Sequence, residues 1–104
     1  MTSANKSALP LTESTYLILL SLVSPCHGYA VMQKVESMSG GSVTIGPGTL
    51  YGALKALLKK GWIQELPTDE PRRKSYRLTE NGNRILRQEV DRLEKLAQLG
   101  KKNI

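Results

Sequence analysis

The segment GPGTLYGALKALLKKGWI, residues 46–63, has the spacing of an amphipathic α-helix. Its four leucines recur at offsets of 0, 4, 7 and 8 residues, which places them on one face of a helix. These leucines are Leu50, Leu54, Leu57 and Leu58. Pro47 suits the first helical position, and Gly61 suits the position after the last turn. The pattern therefore predicts a helix that begins near Pro47, buries its leucines and ends at Gly61.

The face of this helix opposite the leucines combines small residues with long cations. Its members, with the residues at its margins, are Gly48, Thr49, Tyr51, Gly52, Lys55, Ala56 and Lys59. Glycine in a helix interior costs about 0.5–1 kcal/mol relative to alanine, so Gly52 needs a reason. We predict that Gly52 lets the helix approach DNA base edges, while Lys55 and Lys59 reach phosphates. The alternative is that Gly52 packs against another helix.

Three further residues of this face are expected to bind DNA. Gly48 and Thr49 lie in the first turn of the helix, and Tyr51 lies well off the leucine face. An exposed Tyr51 could pack its ring on the helix flank and hydrogen-bond a phosphate through its hydroxyl. A tyrosine in the core is the alternative.

Two helices are expected before this one. Thr12 suits an N-cap, Glu13 is favourable in the first turn, and Pro25 ends the first helix. The second helix begins near Gly28 and ends before Gly40. Its predicted stripe consists of Tyr29, Met32, Val35 and Met38. Residues 42–45 are short and contain β-branched side chains, which favours a strand.

The period changes after the leucine-rich helix. Residues 62–66 and 74–78 are short strand-like runs separated by PTDEPRR, a segment of turn formers and charges. This pattern predicts a hairpin, and Thr79 then caps a last helix over residues 80–99. Three helices followed by a hairpin form a winged helix-turn-helix, in which the third helix enters the DNA major groove. The predicted class is mostly α (α+β).

The hairpin is expected to supply a second DNA contact. Arg72, Arg73 and Lys74 form a basic cluster just before the second strand. Such a wing could lie against the phosphate backbone or in the minor groove. A solvated charge run is the alternative explanation of the triplet.

The last helix carries a short apolar seam. Its members are spaced four, three and four residues apart: Leu86, Val90, Leu93 and Ala97. This spacing predicts a dimer interface. Barely two heptads cannot support a coiled coil alone, so the first helix is expected to contribute.

The net charge of +6 lies entirely in the second half of the chain. Residues 1–50 carry two basic and two acidic side chains, whereas residues 51–104 carry 13 basic and 7 acidic ones. One-sided positive charge favours a polyanionic partner, nucleic acid first, although it also serves solubility. The chain shows no signal peptide and no apolar run long enough to span a membrane. A single cysteine, Cys26, fits a reducing cytoplasm.

The residues argue against catalysis. Cys26 and His27 are adjacent, but neighbouring residues rarely reach one metal, and the chain has no other cysteine or histidine. A nucleophilic cysteine would need a distant base. A phosphate-cradling glycine motif is also absent. We therefore expect no enzyme, metal or cofactor. We interpret Cys26 as a loop cysteine without a chemical role, and a redox sensor is the alternative.

Two segments together resemble the signature of PadR-like transcriptional regulators: GTLYGALKALLKKGWI and the later RRKSYRLTENG. The early HGYAVMQKV resembles the start of the second helix of that family. The resemblance covers roughly residues 9–99. One departure is Gly52, where the family usually has proline after the Leu-Tyr pair.

The resemblance implies a bacterial homodimer that binds double-stranded DNA at an inverted-repeat operator, usually as a repressor, with a small-molecule effector as an additional partner. It also implies that the last helix forms the dimer. The expected organisation is a disordered tail (1–8), a winged-helix domain (9–79), a dimerisation helix (80–99) and a basic tail (100–104). The alternative function is a winged-helix module whose basic face binds acidic protein or RNA.

Overall fold

Four helices and a small antiparallel sheet make up the part of the chain that the computed structural model describes, residues 8–70 and 72–104. The predicted disordered tail, residues 1–8, lies outside the described residues except for Ala8. The helices are α1 (Glu13–Ser21), α2 (Gly28–Met38), α3 (Pro47–Lys60) and α4 (Glu80–Asn103). The strands are β1 (Cys26–His27), β2 (Ile63–Glu65) and β3 (Ser75–Leu78). This order is a winged helix-turn-helix followed by a long helix, as predicted.

Two helix starts and the end of α3 are those expected from the capping residues, whereas α1 ends at Ser21, four residues before Pro25. Thr12 Oγ1 accepts a hydrogen bond from the Thr15 N–H at 3.1 Å, which caps α1. Thr79 Oγ1 accepts from the Gly82 N–H at 3.1 Å, which caps α4. Gly61 ends α3 with a left-handed backbone, φ 76°, which a residue with a Cβ rarely adopts. Local sequence therefore sets where these helices begin or end.

The sheet has the order β1-β3-β2, with β3 in the centre. β2 and β3 form the predicted hairpin, in which Ile63 lies opposite Leu78. The third strand is Cys26–His27 rather than the predicted residues 42–45, and Cys26 pairs with Tyr76. Residues 42–45 are not a strand because Ser39 Oγ accepts from the Val43 N–H at 3.0 Å, following a turn through two glycines with positive φ. This turn leads the chain from α2 into α3.

The core lies between the first three helices, the inner face of the hairpin and the first half of α4. The leucine face of α3 is buried as predicted, with Leu58 half-buried at its edge. The fully buried large apolar side chains are Ile18, Leu19, Leu22, Leu50, Leu54, Val31 and Val35. Burial of such side chains supplies about 1.5–3 kcal/mol each, so these residues dominate the stability of the fold.

The buried face of α2 differs from the predicted stripe. Gly28, Val31 and Val35 are buried, whereas Tyr29 and Met38 are 65% and 47% exposed. The difference is a rotation of the helix about its axis. Because α2 packs between α1 and α3, its smaller residues face inward, and Tyr29 turns towards the wing.

The helix α4 is longer than predicted and runs to Asn103. Residues 100–103, predicted as a basic tail, are therefore its last turn. Its first turn lies against the base of the wing: a Cβ built on Gly82 would clash with the carbonyl oxygen of Trp62 and lie 2.8 Å from its carbonyl carbon. Glycine at position 82 thus allows α4 to approach the chain at Trp62. None of the described helices combines the length and the apolar character needed to cross a membrane.

Candidate nucleic-acid interface

The predicted DNA-binding face of α3 is exposed along its whole length. The exposed residues include all six candidates on this helix: Gly48, Thr49, Tyr51, Gly52, Lys55 and Lys59. Tyr51 is 50% exposed, so the alternative of a tyrosine in the core is wrong. The role of these residues in DNA binding stays a prediction, but the structure places all of them on one open surface.

Gly52 lies at the centre of that surface. A Cβ built at this position would have no described atom of another part of the chain within 4 Å. The alternative explanation, that Gly52 packs against another helix of this chain, is therefore wrong. Within the described residues, no contact with another part of the chain accounts for glycine at this helical position.

The N-terminal end of α3 is open to an anion. Gly46 is its N-cap and provides no side-chain hydrogen bond, and its first turn contains no acidic residue. The partial positive charge of a helix N-terminus is consequently not offset there by a carboxylate of the first turn. Lys59 and Lys60 lie at the opposite end, and the Lys60 ammonium stands 4.7 Å from the centre of the Trp62 ring. Lys60 is therefore directed to the base of the wing.

The basic triplet of the wing is exposed and lies close to the helices. Arg73 Nε is 3.7 Å from Glu70 Oε2, and Lys74 Nζ is 4.0 Å from Glu65 Oε1. Exposed ion pairs of this kind are weak because water screens them, so these cations can turn to a stronger anionic partner. Arg72 forms no ion pair with another described residue.

A cleft of about 580 Å³ separates the wing from the N-terminal end of α2. We call it the wing cleft, and its lining includes Tyr29, Tyr51 and the basic triplet 72–74. His27 also lines it, and its Nδ1 shares a hydrogen bond of 2.9 Å with Ser75 Oγ of β3. Sequence reasoning missed Tyr29 and His27 as candidate site residues. The signal that could have found them is the HGY segment, whose spacing instead predicts a helix start and a buried stripe.

Two titratable groups of the sheet, the buried Tyr76 and the half-buried Cys26, have raised pKa values. Burial, with smaller contributions from Glu65 and Tyr51, raises the pKa of Tyr76, which stays a neutral phenol. Burial also raises the pKa of the Cys26 thiol, although Lys34 partly opposes this. A reactive cysteine needs a thiolate, so the raised pKa argues against a redox role for Cys26. Within residues 8–70 and 72–104, no cluster of His, Cys, Asp and Glu is arranged to hold a metal ion.

The predicted dimer residues divide into two groups in the structure. Leu86 is only 4% exposed and belongs to the core of its own chain, so it is not available to a partner. Val90 and Leu93 are 40% and 37% exposed, and Ala97 is exposed as well. Leu96 and Leu99 add to this apolar surface. The seam therefore begins one turn later than the spacing predicted.

A buried carboxylate fixes the N-terminal segment to α4 at the start of this surface. Glu89 is 1% exposed, and its carboxylate accepts from the Leu11 N–H at 2.9 Å and from Arg92 Nε and Nη2 at 2.6 and 2.8 Å. The Arg92 hydrogen bonds hold the pKa of Glu89 below its usual value, against the opposing effect of burial, and the Leu11 N–H adds to the lowering. Sequence reasoning missed Glu89 because acidic residues rarely lie on a buried helix face.

Comparison with known proteins agrees with the architecture. The model of the PadR-like transcriptional regulator family matches residues 17–88. A transcriptional regulator from Clostridium thermocellum is 22% identical with a TM-score of 0.71, and the match covers 100% of this chain and 97% of that one. A PadR family regulator from Eggerthella lenta DSM 2243 is 25% identical with a TM-score of 0.69, covering 96% and 84%.

A curated relative is similar over most of this chain. It is an uncharacterized 37.1 kDa protein in transposon TN4556 of Streptomyces fradiae, 34% identical over 86 residues. The match covers 82% of this chain and 24% of that protein, so the chain spans about a quarter of the length of this relative. The matching family and the two solved neighbours are transcription regulators rather than enzymes. The family match spans more than half of the residues, and the chain therefore belongs to the PadR-like family of DNA-binding transcriptional regulators.

Proposed function

We propose that this PadR-like regulator is a repressor that binds an inverted-repeat operator as a homodimer, with α3 in the major groove of each half-site. The observation that carries the proposal is the open face of α3, where a Cβ at Gly52 would meet no atom of another part of the described chain within 4 Å. The helix presents small residues and two long cations on the same open face. This combination suits reading of base edges together with neutralisation of phosphates.

The contacts of α3 are expected to divide by chemistry. Gly48 and Gly52 expose the backbone of the helix, and Thr49 offers a hydroxyl near its N-terminus. These residues are suited to the groove, where the first turns of a recognition helix usually bind. Lys55 and Lys59 reach farther and are suited to phosphates, which bind without regard to sequence. Specificity is thus expected from the first half of α3 and affinity from its second half.

The dimer is expected to form through α4. At about 1.5 Å per residue, this helix of 24 residues is roughly 36 Å long, and its buried residues end at Glu89. The residues after Glu89 extend beyond the core, and Val90, Leu93 and Ala97 continue the apolar face there. A second copy that packs on this face would cover it. Two-fold symmetry would then set both copies of α3 against one duplex, about one helical turn apart.

The test is a mobility-shift assay with the DNA upstream of the gene and with an unrelated duplex as competitor. We expect a complex with the upstream DNA that resists the competitor, and a symmetric footprint with two half-sites. Absence of binding to either duplex at low salt would contradict the proposal and would favour a module that binds acidic protein or RNA. A footprint covering a single half-site would contradict the dimer.

A further inference from the structure

The wing cleft has the chemistry of an oxyanion site. The hydroxyl-bearing rings of Tyr29 and Tyr51 line it together with the basic triplet 72–74, and none of the described residues that line it is acidic. Tyr29 lies in the first turn of α2 and is 65% exposed, so its hydroxyl is open to a ligand. A tyrosine hydroxyl donates to a phosphate oxygen, and an arginine neutralises it.

The N-terminal end of α2 adds to this positive potential. His27 is the N-cap of α2 but makes no capping hydrogen bond, and the first turn has no acidic residue. The reason is that the His27 ring instead bonds Ser75 of the wing through Nδ1, at 2.9 Å. The first N–H groups of α2 thus lack a side-chain cap, and Gly28, Tyr29 and Ala30 of this first turn line the cleft, where the helix dipole favours an anion.

Gly28 leaves room for a side chain of α3, Tyr51, beside the wing cleft. A Cβ built on Gly28 would lie 2.9 Å from the Tyr51 hydroxyl oxygen and 3.1 Å from Cε1 of the same ring. The ring of Tyr51 therefore occupies the space that a side chain at position 28 would need. Tyr51 lies one turn before Lys55 on the exposed face of α3. The cleft and the open face of α3 are consequently parts of one continuous surface.

We propose that the wing cleft binds a backbone phosphate of the same duplex that α3 reads, with Tyr29 as a hydroxyl donor and Arg72 as the charged partner. Gly28 is a positioning residue that admits the Tyr51 ring. Arg72 takes the charged role because it forms no ion pair with another described residue, whereas phosphate would have to compete with Glu70 for Arg73 and with Glu65 for Lys74, although both of those pairs are weak. The inference rests on the proposed DNA binding and adds Tyr29, Gly28 and the N-terminal end of α2 to it.

The test is the fluorescence anisotropy of a labelled duplex carrying the upstream DNA, and of a random duplex, over a series of salt concentrations. Tyr29→Phe removes a hydroxyl and no charge, so both affinities should fall by about tenfold with an unchanged salt slope. Arg72→Gln should lower the salt slope by about 0.9 for each phosphate that the arginine neutralises in the wild type. Tyr16→Phe on α1 and Lys101→Gln at the end of α4 are the matched controls and should bind like the wild type.

A wild-type protein that binds neither duplex would refute the proposed function itself. If the wild type binds and both Tyr29→Phe and Arg72→Gln bind equally well, DNA recognition by α3 would stand and the wing-cleft inference would be overturned. Gly28→Ala should also weaken binding to both duplexes, because the new Cβ would displace the Tyr51 ring. Circular dichroism establishes that this variant is folded, and normal affinity of the folded variant would contradict the positioning role of Gly28.

Discussion

Substitution of Gly52 tests the proposed function most directly, because stability and DNA binding should change in opposite directions. Alanine is a better helix former than glycine by about 0.8–1 kcal/mol in an exposed helix interior, and leucine by slightly less. A Cβ at position 52 would meet no described atom of another part of the chain within 4 Å. We therefore expect that no clash offsets the gain, and that Gly52→Ala and Gly52→Leu both unfold at higher temperature than the wild type.

The expected size of the shift follows from the length of the chain. For a domain of about 100 residues, 1 kcal/mol changes the melting temperature by about 4–8 °C. Operator affinity should fall at least tenfold for Gly52→Leu, because the side chain would stand between the α3 backbone and the base edges. The operator affinity of Gly52→Ala should lie between that of the wild type and that of the leucine variant.

The assay measures thermal unfolding and operator binding on the same protein preparations. Gly100→Ala is the matched control, since a Cβ at this helical position of α4 also has no described atom of another part of the chain within 4 Å. It should gain stability without losing DNA affinity. A Gly52→Leu variant that melts below the wild type and yet binds the operator normally would refute the role assigned to Gly52.

Four further substitutions test other parts of the structure. Leu93→Lys should make the protein monomeric in sedimentation experiments, because an unpaired charge would enter the apolar seam; a variant that remains dimeric would place the interface elsewhere. Gly82→Ala should destabilise by about 1–3 kcal/mol in denaturant unfolding, despite its higher helix propensity, because the new Cβ meets backbone atoms of Trp62. Glu89→Gln should cost about 1–3 kcal/mol at neutral pH. Because the pKa of Glu89 is lowered in the folded protein, its carboxylate stabilises the wild type at pH values above the ordinary pKa of 4.5. This stabilisation is lost as the pH falls through the folded-state pKa. The free energy of unfolding of the variant should therefore depend less on pH below about pH 5. Lys55→Ala should lower the salt slope of binding to specific and random DNA alike by about one unit, and an unchanged slope would move Lys55 off the phosphates.

Much of the local structure follows from the sequence alone, because it depends on neighbouring residues. The Thr12 and Thr79 caps and the left-handed Gly61 are short-range features, and each lies where the sequence predicts it. The leucine face of α3 is also set by the chain itself, since a single helical period decides which side is apolar. That same period identifies the opposite face as the candidate DNA surface.

The tertiary structure alone decides the features that depend on distant partners. Cys26 and His27 form a strand because β3, about fifty residues later in the chain, offers an open edge, and two residues carry no signal for such a pairing. The spacing of the apolar residues of α2 predicts that Tyr29 is buried. In the structure Tyr29 is exposed and the smaller side chains face inward, because α1 and α3 pack around them.

The position of the apolar seam on α4 shows the same division. Helical spacing groups Leu86 with Val90 and Leu93 on one apolar face of α4. In the structure the core covers only the first part of this face, so Leu86 is buried whereas Val90 and Leu93 are exposed. Burial of Glu89 likewise requires Arg92 and the backbone of Leu11, 78 positions earlier, to satisfy its carboxylate. A sequence determines which faces of its helices are apolar, whereas the packed chain decides which of those faces are already covered, because burial depends on distant residues that no local pattern specifies.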